Sequence, residues 1–283
     1  MRLLTFLVAL LLPAAGALAD TRLKAVATFS ILGDLVAEVG GDKVDLTVLV
    51  GPDTDAHAYQ PKPADARALA AAKALVRNGL GFEGWIDRLA ETASFKGRHI
   101  VASAGVRNKD PHCWQDVACA RRYVANIVAG LAESDAANAT SYRDRAASYD
   151  ARLGALDAWI RGEIGRVPAD RRKAITSHDS FGYFASAYGV TFHAARGVNT
   201  ESEPSARDVA QLIRQVREQK IKALFLENMT NPMLVNQIAR DSGATVGPPL
   251  YTDALSKADG PAASYEAMMR HNVAALVAGM LKN

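Results

Sequence analysis

The stretch SYRDRAASYDARLGALDAWIRGEI, residues 141–164, decides the fold class of this 283-residue chain. Tyr142, Ala146, Tyr149, Leu153, Leu156, Ile160 and Ile164 recur every three or four residues, so a helix would gather them into one apolar stripe. Ser134 stands where it could cap the start of such a helix, and Pro168 where it would end it. Between Asp135 and Arg166 the helix would run about 48 Å at 1.5 Å per residue. A lobe of roughly 110 residues has no place for a rod of that length. The stretch is therefore expected to be a rigid backbone joining two lobes.

On both sides of it, short apolar runs alternate with helical patterns. Before it, Leu23–Phe29, Val44–Val50, Ala74–Arg77 and His99–Ala102 read as strands. After it, Lys173–Thr176, Val190–His193, Ala223–Leu226 and Ala244–Gly247 read the same way. Helical patterns lie between them. This order predicts parallel sheets with helices on their faces. The expected fold class is α/β, with two such lobes joined by one long rigid linker helix. The expected division is a signal peptide at 1–19, an N-terminal lobe at 20–133, the linker at 134–168 and a C-terminal lobe at 169–283.

The signal peptide rests on Arg2, the apolar block Leu3–Leu12, and the small-x-small site Ala17-Leu18-Ala19 before Asp20. That block is too short to span the roughly 30 Å hydrocarbon layer. No Cys sits beside the cleavage site, which argues against a bacterial lipid anchor. The expected location is the periplasm. Removing residues 1–19 takes one basic residue of 33 and none of the 30 acidic ones, leaving a charge of +2. No basic run stands out, which argues against nucleic acid as a partner. Cys113 and Cys119 are too few for a disulfide-built scaffold, so the fold must rest on an apolar core. With Cys113 in a loop and Cys119 in a helix the two sulfurs could meet. With both in one helix, six residues of rise would hold their Cα atoms about 9 Å apart, beyond disulfide range.

Four residues share a setting. His57 follows the second strand across the Gly51-Pro52 turn, and His112 follows the fourth in Asp110-Pro111-His112. His178 follows the fifth strand, and Asp253 the last, in Tyr251-Thr252-Asp253. Loops that follow the strands of a parallel sheet gather at its carboxyl edge, where ligands bind. Two residues come from each expected lobe, so a cleft between lobes would bring all four together. Three neutral imidazoles and one carboxylate suit Zn²⁺ in tetrahedral coordination. Position alone is a weak warrant, because a His in a loop is more often a surface residue.

The segments GDLVAEVGGD (33–42), LVGPDTDAHAYQP (49–61), DPHCWQD (110–116), HDSFGYF (178–184), TESEPS (200–205) and GPPLYTD (247–253) strengthen it. Together, and in this order, they resemble the metal-binding proteins of zinc and manganese ABC importers. The resemblance spans essentially the whole mature chain. It implies two α/β lobes on one rigid helix, with metal ligands at His57, His112, His178 and Asp253. It also implies that a Glu would stand at position 178 in a manganese binder, so His178 points to zinc as the transported ligand. The implied function is high-affinity capture of Zn²⁺ in the periplasm and delivery to an ABC permease in the inner membrane. The protein would act as a monomer, with a periplasmic zinc metallochaperone as a further partner. Two features depart from the family: the His- and acid-rich loop of many zinc members is missing before Asp110, and a Cys pair adjoins His112.

His99, His193 and His271 read as ordinary strand or helix residues. Asp116 and Asp179 could orient an imidazole or simply cap helices. Glu201 and Glu203 read as supports of an interlobe loop, and Trp114 and Phe181 as packing around the site. A manganese or iron carrier of the same family is the alternative. From another class come a zinc-dependent hydrolase and an adhesin with structural zinc. Against the hydrolase stand the lack of a His-Glu-x-x-His helix and the fourth position filled by Asp253.

Overall fold

The structure, a computed structural model, describes residues 22–283. The expected signal peptide, residues 1–19, lies outside the described residues. Two four-stranded parallel sheets form the framework. The first contains β1 (Leu23–Phe29), β2 (Val44–Val50), β3 (Ala74–Arg77) and β4 (Arg98–Val101), in the order β2-β1-β3-β4. The second contains β5 (Lys173–His178), β6 (Thr191–Arg196), β7 (Ala223–Leu224) and β8 (Thr245–Val246), in the order β6-β5-β7-β8. The two orders are the same when each sheet is counted from its own first strand. Each sheet reverses direction of winding beside its first strand, which opens a crevice at its carboxyl edge.

Helices α1 (Ser30–Gly40), α2 (Pro63–Ala71), α3 (Ile86–Thr92) and α4 (Val117–Ser134) connect and cover the first sheet. The connecting helix α5 spans Ala139–Gly165, and the seven residues of the expected stripe are the ones it buries. Its start differs from the sequence expectation. Ser134 ends α4, where its hydroxyl donates to Gly130 O at 2.7 Å. Asp135 makes the corner instead, because its carboxylate accepts from both Asn138 Nδ2 and Tyr142 OH at 2.7 Å. A short 3-10 turn at Ala136–Asn138 then leads into the helix. The α-helical rod is 27 residues, about 40 Å rather than 48 Å. Beyond it lie α6 (Gly182–Tyr188), α7 (Ala206–Glu218), α8 (Met233–Ser242) and α9 (Tyr265–Met280). Among the described residues no helix is long and apolar enough to cross a membrane.

The core is not split between two lobes. One continuous buried cluster runs from Val26 and Leu35 of the first sheet and α1, through Tyr149 and Leu153 of α5, to Phe184, Phe225 and Met268. It takes in the inner face of the second sheet and α9. A separate small cluster, including Ile175, Leu212, Val216 and Ile238, fills the space between the other face of that sheet and α7 and α8. Apolar area shared so widely makes large rigid-body separation of the halves costly.

Candidate metal centre

The carboxyl edges of the two sheets face each other, and four side chains meet between them. His57, His112, His178 and Asp253 each offer one ligand atom, all within 4.8 Å of one another. His57 is 5% exposed and the other three are fully buried. All three histidines present Nε2. His112 Nε2 lies 3.2 Å from that of His57 and 3.4 Å from that of His178. Asp253 Oδ2 is 3.4 Å from His57 Nε2 and 3.1 Å from His178 Nε2, and Oδ1 is 3.6 Å from His112 Nε2. A tetrahedron with metal–ligand bonds of 2.0–2.1 Å has edges of about 3.3–3.4 Å. The five spacings scatter about that value.

Local structure fixes each ring. The His57 loop turns on Asp55, whose Oδ1 accepts His57 N at 2.9 Å. The edge of the His57 ring meets Phe82, with centroids 4.4 Å apart. Asp110 Oδ1 takes both the backbone N and the Nδ1 of His112, at 2.9 and 2.8 Å. This approach needs Gly182, since a Cβ there would stand 2.7 Å from Asp110 Oδ2. His178, the last residue of β5, is held twice by Glu227: Oε1 accepts its N at 3.0 Å and Oε2 faces its Nδ1. With Nδ1–H of His112 and of His178 donating to a carboxylate, the lone pair of each of these two rings sits on Nε2 and points at the centre.

Charge is concentrated here. Burial raises the pKa of Asp253, but the facing imidazoles of His178 and His112 outweigh it and hold the carboxyl well below its usual range. Burial likewise opposes a charge on His178, and Glu227 and Asp253 reverse the sign, leaving its pKa well above that of free imidazole. His112 is raised for the same reason, by Asp253 and Asp110 against its burial. Among the described residues, neither carboxylate oxygen of Asp253 has a hydrogen-bond donor in proper geometry. A fully buried carboxylate without donors costs several kcal/mol, and a cation between it and the three imidazoles removes that cost.

The other sequence candidates lie elsewhere. His99 packs edge-on to Phe95, His271 bonds Pro249 O at 2.9 Å, and His193 is a half-buried residue of β6. Asp116 caps α4 through Ala118 N, and Asp179 is exposed. Asp110 and Glu227 orient the rings instead. Glu203 pairs with Arg196 and Glu201 is exposed beside the cleft. Trp114 donates its Nε1 to Thr252 O at 2.8 Å, and Phe181 stacks on Phe192. Cys113, in a short 3-10 turn, is disulfide-bonded to Cys119 of α4, with Cα atoms 5.7 Å apart. The loop-plus-helix placement is what permits the bond.

The family model described as "Zinc-uptake complex component A periplasmic" matches residues 25–279. The manganese-binding lipoprotein MntA of Bacillus subtilis is 33% identical over 275 residues, covering 92% of this chain and 90% of that protein. The iron-binding protein YfeA of Yersinia pestis is 29% identical, covering 91% and 86%. The solved periplasmic zinc binding protein TroA of Treponema pallidum superposes with a TM-score of 0.88 at 27% identity, covering 92% of this chain and 99% of that one.

Proposed function

The chain belongs to the family of periplasmic zinc-uptake components, and from that premise we propose that it is a periplasmic zinc carrier. Members of this family are the substrate-binding proteins of metal ABC importers rather than enzymes, so a permease and its ATPase are its partners. In our reading Zn²⁺ is the cargo, His57, His112, His178 and Asp253 are its ligands, and delivery is to a permease in the inner membrane. The reading extends to export by the leader at 1–19, to a monomer, and to supply by a zinc metallochaperone.

The observation that carries the metal choice is the buried set of three Nε2 atoms and one donor-free carboxylate at tetrahedral spacing. Imidazole suits zinc, and zinc stands far above manganese in the affinity order of nitrogen sites. A manganese carrier is the second reading, and it is favoured by the name of the relative from Bacillus subtilis. Equilibrium competition between the two ions for metal-stripped protein tests the zinc reading. Zinc should displace manganese fully at equal concentration. Retention of manganese under those conditions would reject zinc as the cargo. His57→Ala, His112→Ala and His178→Ala should each weaken zinc binding without unfolding the protein. Unchanged zinc affinity in all three would reject the ligand assignment.

A further inference from the structure

Chain order groups Asp253 with His178 in the C-terminal half, but the hydrogen bonds group it with the other two histidines. Leu255 N donates to Ser30 Oγ at 2.9 Å, and Leu255 O accepts Asp53 N at 3.0 Å. Thr252 O accepts Trp114 Nε1 at 2.8 Å and Gln115 Nε2 at 3.1 Å. All four partners belong to the N-terminal half. The segment stays fixed beyond this, since Tyr265 donates through its OH to Trp114 O at 2.7 Å and through its N to Asp34 Oδ2 at 2.8 Å. From there α9 packs on α5 and α1.

His178 is held differently. Its ring and backbone are bound to Glu227, and its strand is laddered to β6 and β7. Glu227 pairs in turn with Leu250, across a β-bridge. The next residue, Tyr251, has both its N and its O bound by Asn272 of α9, at 2.9 and 2.6 Å. The chain thus passes between Leu250 and Tyr251 from the second sheet to the body that holds Asp253.

Few polar contacts cross this seam near the metal. Thr200 Oγ1 donates to Asp55 Oδ2 at 2.7 Å, Asn228 Nδ2 to Asp53 Oδ1 at 2.9 Å and to Ala254 O at 3.3 Å, and Thr252 Oγ1 to Glu227 Oε2 at 3.1 Å. Asp55 is the residue that also holds His57 N. Beside it lies a cavity of about 740 Å³, lined by His57, Tyr59, Trp85 and Arg88 on one wall and by Glu201, the neighbour of Thr200, on the other. His57 is the one ligand of the four that borders it.

We propose that the site divides three against one: His57, His112 and Asp253 remain a single half-site, His178 alone withdraws, and the Thr200–Asp55 hydrogen bond is the latch that keeps the seam closed. The proposal rests on the assignment of these four residues as ligands. Thr200 is a positioning residue, acting through Asp55 and the loop that presents His57. Opening the latch widens the cavity at His57, the route by which the ion leaves. The inner face of the second sheet is anchored in the common core through Phe184 and Phe225, which confines the displacement to the carboxyl edge.

Zinc release from Thr200→Val to an excess of chelator, followed by stopped flow, tests the latch. Loss of one hydrogen bond should speed release about tenfold. Thr200→Ser, which keeps the hydroxyl, should restore slow release. The absorption of Co²⁺-loaded Thr200→Val should stay that of the unmutated protein, because no ligand is touched. Hydrogen exchange tests the partition. On removal of zinc, segments 197–203 and 227–230 should gain exchange while 251–256 stays protected. Equal gain over 251–256, or unchanged release from Thr200→Val, overturns the proposal. If His57→Ala and His178→Ala still weaken zinc binding in that event, the ligand assignment stands and only the partition fails. If neither weakens it, the assignment itself is what failed.

Discussion

Replacing Glu227 by Gln exchanges one carboxylate oxygen for an NH₂ and leaves His178 without a full set of acceptors. In the native site Oε1 accepts His178 N at 3.0 Å, while Oε2 takes Nδ1–H and the hydroxyl of Thr252 at 3.1 Å. A carboxylate accepts all three; an amide offers one oxygen and one NH₂. With the amide oxygen toward Nδ1, the NH₂ opposes the backbone N–H of His178. With the NH₂ toward Nδ1, the ring must accept there and carry its proton on Nε2, the atom that faces His112 and Asp253. Either arrangement removes a charge-assisted hydrogen bond from a residue that is fully buried. Loss of such an outer partner costs about 10–100-fold in metal affinity, or roughly 1.4–2.7 kcal/mol. Competition against a chelator of known affinity measures it, with circular dichroism to confirm that the variant is folded. Zinc affinity within twofold of the unmutated protein would show that Glu227 does not orient His178.

Three further outcomes are expected. In metal-free protein the raised pKa values of His112 and His178 give stability that is complete below the unfolded value of about 6.5 and lost as pH rises through the folded ones. The depressed Asp253 adds stability that is present above about pH 4 and lost as pH falls through its folded value. Zinc must displace the imidazole protons, so its increment in melting temperature should grow from pH 5 to pH 8; a constant increment would contradict a three-histidine site. Asp34, at the start of the α9 contact, is raised to about 6, mainly by burial, then by Glu38 and Glu266, against the Tyr265 N–H. Its extra native proton means stability falls as pH rises from about 4 to 6, so Asp34→Asn should stabilise at pH 7 by about 1–2 kcal/mol after allowing for partial solvation. Urea titrations at pH 4.5 and 7 check this, and a variant no more stable at pH 7 refutes it. Finally, oxidised protein unfolded without metal should show no free thiol, and replacing both Cys113 and Cys119 by Ser should cost about 2 kcal/mol for the short loop they close.

The α5 stripe could be read from its sequence because one face of a long helix must be apolar whatever covers it, and all seven stripe residues are buried. The four convergent side chains were legible because strand ends in a parallel sheet have only one edge to meet at. Asp135 was missed as the corner residue because capping preferences favour Ser134 on local grounds, while Asp135 acts through Tyr142, seven residues on. Glu227 was missed for a related reason. It follows β7 as the histidines follow their strands, so the same rule could have found it, but its partner is 49 residues away. Asp110 stood in the quoted motif, two residues before His112, and its role emerges only with the backbone turn that directs one oxygen to both nitrogens of that residue. The single continuous core had no sequence signature, since periodicity shows which face is apolar and not which neighbour covers it.

The charges at the candidate metal centre also bear on how the protein would stay folded without a cation. A fully buried carboxylate with no donors would destabilise a protein that had lost its metal. Here the low pKa of Asp253 and the high pKa values of His178 and His112 are two sides of one exchange. The raised pKa values of the two imidazoles favour their protonated forms beside Asp253, while Glu227 and Asp110 are bound to the far side of each ring. The rings then repel one another, because His112 Nε2 lies 3.4 Å from that of His178. In the proposed three-against-one division, repulsion between two protonated rings would fall between His178 and His112.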